Sequence, residues 1–128
     1  MRYLEKFRNP DLGLLLIRLG LAAVFIVHGW AKLQNIEGTA GFFSSLGLGM
    51  FWVYLVAYVE LLGGLAMLTG FLARKAGLLL AIDMFFAIYL VSWSRGFSGG
   101  YEFELLLLLT SLAIFLSGPG KYSLSKKY

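Results

Sequence analysis

Four apolar runs, each close to the length needed to cross a lipid bilayer, take up most of this chain. A helix rises about 1.5 Å per residue and a hydrocarbon core is about 30 Å thick, so a spanning helix takes about 20 mostly apolar residues. Segments 12–33, 51–71, 73–93 and 101–116 meet or approach that length. The expected fold is therefore an all-α membrane protein, a four-transmembrane-helix bundle with residues 1–128 forming a single membrane domain. Pro10 and Asp11 suit the N-terminus of the first helix, and Gly70, Gly96, Gly99, Gly100 and the Gly118-Pro119-Gly120 run punctuate the boundaries. Between the first two spans, Ile36, Ala40 and Phe43 recur at helical spacing among small and polar residues. That spacing predicts a short interfacial helix between helices 1 and 2. The first segment is too long for the apolar core of a cleavable signal and lacks a small-residue cleavage site, so it reads as a retained span.

Charge placement supports the same architecture. Of 128 residues, 59% are hydrophobic and only 14% charged, against about 25% charged in ordinary soluble domains. The net charge of +4 comes from basic residues in short clusters between the apolar runs. This is the pattern of topology signals and not of a nucleic-acid surface, so no nucleic-acid partner is expected. Arg2, Lys6, Arg8, Arg74, Lys75, Lys121, Lys126 and Lys127 fall on the side of the N-terminus, against Lys32 and Arg95 on the other. Eight against two places both termini in the cytoplasm, for a multi-pass protein of the cytoplasmic (inner) membrane, and an even number of spans agrees. Trp30, Trp52 and Trp93 are then expected toward the outer boundary, with Tyr3 and Tyr122 toward the inner one.

The chain has no cysteine, which excludes a structural disulfide, a thiol relay and a thiolate-held iron–sulfur cluster. A single histidine excludes bis-histidine haem within one chain, and scattered carboxylates show no metal-ligand spacing. No intrinsic cofactor or metal is expected, and any redox role borrows its electron carrier from a partner or a diffusible molecule.

Ionisable residues inside the spans are the informative exceptions, since each costs about 2.5–3.5 kcal/mol at a helix centre on insertion scales. Counted from the cytoplasmic ends, Arg18 and Asp83 lie roughly 10 Å in and Glu60 roughly 16 Å in, close enough to be read as one deep cluster. His28, Lys32, Glu102 and Glu104 lie near a common level toward the outer side, as an outward-facing mouth. Glu102 and Glu104 are about 200 degrees apart on their helix, so at most one faces that mouth. Two readings are open. In one, Arg18 with Asp83 or Glu60 is a structural ion pair; in the other, Arg18, His28, Lys32, Glu60, Asp83 and Glu102 line a pocket for a proton-carrying ligand. Gly63, Gly64, Ala57 and Ala66 read as a small-residue packing face. Tyr54, Tyr58 and Tyr89 suit either a ring-binding pocket or ordinary anchoring.

Arg18, then His28-Gly29-Trp30-Ala31-Lys32-Leu33, Glu60-Leu61-Leu62-Gly63-Gly64, Thr69-Gly70-Phe71, Gly100-Tyr101-Glu102 and Gly118-Pro119-Gly120-Lys121-Tyr122-Ser123-Leu124 together resemble the DoxX family of small four-helix bacterial and archaeal membrane proteins. The resemblance covers nearly the whole chain. It implies an accessory subunit of a membrane redox system, quinone- or sulfur-linked, or of an oxidative-stress system, with redox-enzyme subunits or a second copy as partners. It also implies a quinone as the small ligand held within the bundle. The competing expectation is a non-enzymatic scaffold or assembly factor whose buried ion pairs are structural.

Overall fold

A computed structural model describes residues 2–125; Lys126 and Lys127, counted in the basic-residue bias, lie outside the described residues. After a single turn, α1 (Arg2–Glu5), the chain forms α2 (Pro10–Gln34), α3 (Ile36–Ser45), α4 (Met50–Thr69), α5 (Ala73–Ala87) and α6 (Glu102–Ser117). Helix α5 continues through a π-helical stretch, Ile88–Ser92, and a 3₁₀ turn, Trp93–Arg95. Among the described residues, four helices are long and apolar enough to span a membrane: Pro10–Gln34, Met50–Thr69, Ala73–Arg95 and Phe97–Ser117. They match the four runs expected from sequence to within a few residues at each end.

Local chemistry sets the boundaries. The Asn9 side chain accepts from the Leu12 amide at 3.1 Å and Pro10 opens the first turn of α2. Asn35 separates α2 from α3: its amide donates back to Ala31, and its side chain accepts from Gly38 at 3.1 Å. The short helix expected between the first two spans is thus α3, and it buries Phe43. Gly70, at φ +80°, ends α4 with its amide on the Ala66 carbonyl.

The spanning helices run alternately up and down. Gly29 of α2 backs onto Ala57 and Leu61 of α4, and Gly64 of α4 backs onto Ala22 and Ile26 of α2. Numbers rise along one helix as they fall along the other, so the pair is antiparallel. A Cβ at Gly29 would lie 2.5 Å from the Leu61 amide nitrogen, and one at Gly64 would lie 2.8 Å from that of Ile26. Backbone thus approaches backbone, the arrangement small residues permit where no hydrophobic drive joins helices in lipid. The α5–α6 pair closes in the same way at Gly77, under the Ser111 carbonyl.

Leu21, Phe25, Met67, Leu80, Met84 and Ile114 fill the centre. Outward faces carry Leu16, Leu62, Phe85 and Leu116, all exposed, while Arg18, Glu60, Ser92 and Ser111 are buried. Apolar outside with charge inside is the distribution a lipid solvent selects. Trp30, Trp52 and Trp93 are exposed at one end of the bundle, and Tyr3 and Tyr122 at the other, grouped as the sequence led one to expect.

Since Gly29 meets backbone, Gly29→Val is expected to destabilise the detergent-solubilised protein by about 1–3 kcal/mol. Gly20→Ala, where an added Cβ finds nothing within 4 Å, should leave stability unchanged. Thermal unfolding of the two variants checks the crossing.

Candidate functional site

The antiparallel crossing decides which charges meet. With Gly29 level with Ala57 and Leu61, the Lys32 side chain leans back one turn and its Nζ reaches Glu60 Oε1 at 2.5 Å. Arg18 is carried to the opposite end, level with the C-terminus of α4. Its Nε donates to the Met67 carbonyl at 2.9 Å, and Nη1 to the carbonyls of Pro119 at 3.0 Å and Tyr122 at 2.8 Å. Nη2 points to the Leu68 carbonyl at 3.4 Å.

This differs from a single deep cluster of Arg18, Glu60 and Asp83. Depth counted separately from each helix end assumes that the ends are flush, and they are not: α2 begins about two turns beyond the last residue of α4. The overhang is covered by the C-terminal segment, held by Lys121 N to Asp11 Oδ1 at 3.0 Å and Leu124 N to Thr69 O at 3.0 Å. Arg18 thus caps the carbonyl end of α4, where the helix dipole favours a cation.

Asp83 does stand level with Glu60, because Gly63 of α4 packs on Leu80 of α5 in a second antiparallel pair. Its carboxyl interacts with both Glu60 and Lys32. Around these three groups lies a cavity of about 250 Å³ between α2, α4, α5 and α6, roofed by Phe42 and Phe43 of α3. His28 and Glu104 also line it. His28 Nδ1 lies 2.7 Å from the Val24 carbonyl; a carbonyl only accepts, so Nδ1 carries the proton and Nε2 remains for another partner. The π-helical stretch of α5 brings Leu90 and Val91 into the wall. Such stretches are frequent beside functional sites.

The cavity therefore gathers His28, Lys32, Glu60 and Asp83 of the residues singled out from sequence, and leaves out Arg18 and Glu102. Glu102 Oε1 accepts from the Gly99 amide at 3.1 Å in the turn before α6. Glu104 is the glutamate of that helix that faces inward, and the sequence carries a signal for it. Leu107, Ser111 and Ile114 form the buried stripe of α6, and Glu104 stands three residues before Leu107 on the same face.

Two atoms distinguish this cavity from a set of internal braces. Asp83 Oδ2 and Glu104 Oε2 are buried without a hydrogen-bond partner. Orphaned oxygens of this kind are costly in an apolar setting and call for a complement. With three carboxyl groups to one ammonium and one imidazole, the cavity has spare acceptors and can exchange protons with a ligand.

Residues 13–93 match the sequence model of the DoxX family. The chain belongs to the DoxX family. The matched stretch holds α3, α4, α5 and nearly all of α2, and with them every ionisable cavity residue except Glu104. The chain is 42% identical over 111 residues to the Bacillus subtilis protein named "Putative oxidoreductase CatD", covering 87% of this chain and 83% of the relative. It is 31% identical over 123 residues to the Escherichia coli "Inner membrane protein YqjF", covering 91% and 92% of the two chains. No solved structure matches it.

The Lys32–Glu60 contact sits where neither charge is well hydrated, the side chains being 23% and 4% exposed. Lys32→Met alone is expected to cost about 3 kcal/mol by stranding Glu60. Removing both partners in Lys32→Met/Glu60→Met should cost less than the single change, and a double-mutant cycle of unfolding midpoints reads the difference.

Proposed function

We propose that this DoxX protein is an accessory subunit of a membrane redox system that holds a quinone-like ring in the cavity beneath α3. The carboxyl groups of Glu60, Asp83 and Glu104 on one cavity carry the reading, because carboxylates accept hydrogen bonds from the hydroxyls of a reduced ring, and two of their buried oxygens have no partner of their own. Lys32, on the same cavity, supplies a donor to the oxidised form, and the free Nε2 of His28 accepts from the reduced one. The chain itself offers no cysteine and one histidine, so electrons pass through the ligand and a partner subunit. A relative's name as an oxidoreductase supports a redox setting, and another's as an inner membrane protein supports the cytoplasmic membrane. One observation favours a purely structural role for the internal charges: four of the five N–H donors of Arg18 go to carbonyl oxygens. The two orphaned oxygens at the other end weigh against extending that role to the cavity.

The test is binding of menadiol, the reduced naphthoquinone, under anaerobic conditions. Asp83→Asn/Glu104→Gln leaves each side chain one carbonyl acceptor but removes its charge and turns the other oxygen into a donor, and is expected to weaken menadiol roughly tenfold or more, with a smaller effect on oxidised menadione. Glu102→Gln, outside the cavity, should change neither. Unaltered menadiol affinity in the double variant would remove the assignment.

The orientation belongs to the same proposal: both termini face the cytoplasm, on the basic-residue bias. Because the chain lacks cysteine, single replacements report it cleanly. A membrane-impermeant maleimide should label Ser98→Cys in intact cells and Glu5→Cys only after lysis; the reverse pattern would invert the topology.

A further inference from the structure

Beside the polar cavity, α4 and α5 part on their lipid-facing side and leave a groove of about 400 Å³. Trp52 and Val59 of α4 and Leu79 and Ile82 of α5 form much of its wall, and Tyr89 stands near its outer end. From Leu79 to Leu90 it follows α5 for about 16 Å at 1.5 Å per residue. Groove and cavity share a wall, since Leu48, Val56, Asp83, Phe86 and Leu90 line both. Asp83 is the one acidic residue of the groove among the described residues.

The geometry points to a ligand with a hydrocarbon tail: its polar ring enters the cavity sideways from the bilayer past Asp83, and its tail lies in the α4–α5 groove. This rests on the ring-binding reading and adds the ligand's class and route. Two observations choose the occupant. First, about 250 Å³ is below the range of about 300–1,000 Å³ usual for small-molecule sites, and the adjoining groove brings the combined space into it. Second, a plain acyl chain of a bilayer lipid in the groove would leave the Asp83 carboxyl, which lines groove and cavity alike, against hydrocarbon. A molecule with its polar end in the cavity and its tail in the groove covers the apolar wall and meets that carboxyl together. Lateral entry also explains why the roof can be the aromatic side chains of α3: the ligand need not pass Phe42 and Phe43.

The experiment compares menadione with phylloquinone, the same ring carrying a phytyl tail, in nanodiscs holding the full chain. Trp30→Phe and Trp93→Phe leave Trp52, on the groove wall, as the single tryptophan, and its quenching reports binding. Affinities are expressed as mole fraction in the bilayer, so that partitioning into lipid cancels. Phylloquinone is expected to bind roughly tenfold more tightly, a gain from packing against the wall and not from leaving water. Filling the groove with Val59→Phe/Ile82→Phe should abolish that gain and leave menadione within about twofold, which also certifies that the variant is folded. Equal affinities in the unfilled groove mean that a bilayer acyl chain occupies it, and overturn the proposal while menadione binding keeps the ring reading intact. A tail advantage that survives filling places the tail elsewhere and overturns it too. Failure of both quinones to bind removes the ring reading and this extension with it.

Discussion

The close crossing of α2 and α4 over Gly29 and Gly64 is the constraint on which the other features of this bundle depend. Where these helices touch backbone to backbone, their relative height is fixed to within a fraction of a turn. That height places Lys32 one turn above Glu60 and carries Arg18 down to the last carbonyls of α4. A shift of one turn, about 5.4 Å, would separate both sets. In a lipid solvent neither set has water to fall back on, so the packing of small residues and the pairing of charges enforce one another.

The same height divides the molecule into two ends with different jobs. At the end with the termini, Arg18 finds its partners in backbone carbonyls and binds the C-terminal segment across α4. At the other end, Lys32 takes Glu60, while Asp83 and Glu104 bring more carboxylate oxygens than the pair can use. One cluster of buried polarity is a fastening and the other is a cavity with unmet hydrogen-bonding capacity. In the DoxX chain the distinction does not lie in residue type, since both ends use long basic side chains. It lies in whether the acceptors and donors balance.

The departure of α5 from α-helical geometry serves the cavity end. The π-helical stretch Ile88–Ser92 turns Leu90 and Val91 toward the cavity, and the 3₁₀ turn that follows leads into a glycine-rich bend before α6. Trp93 and Tyr101 stack across that bend at 5.2 Å, closing the top of the α5–α6 pair where backbone pairing is irregular.

Run length, apolar content and the positions of glycine, proline and asparagine were sufficient to find the four spans and α3, because in lipid a helix must satisfy its own backbone and its length is set by the bilayer. The motifs from Arg18 to Thr69-Gly70-Phe71, which lie inside the stretch that matches the family, likewise carried the DoxX membership. His28, Lys32, Glu60 and Asp83 were recognisable as interior polar residues from their place within apolar runs alone. Their partners were not. Depth along each helix was counted from its own end, and only the α2–α4 crossing reveals that those ends are offset. So counting by depth groups Arg18 with carboxylates about 15 Å away along the axis, and spacing alone leaves Glu102 and Glu104 to be told apart by the stripe through Leu107, Ser111 and Ile114, which runs through Glu104. The sequence by itself determined that this chain is a four-span bundle with charges to hide. Tertiary structure decided which charges meet, because helix offset and rotation are set by side-chain contacts between segments distant along the chain.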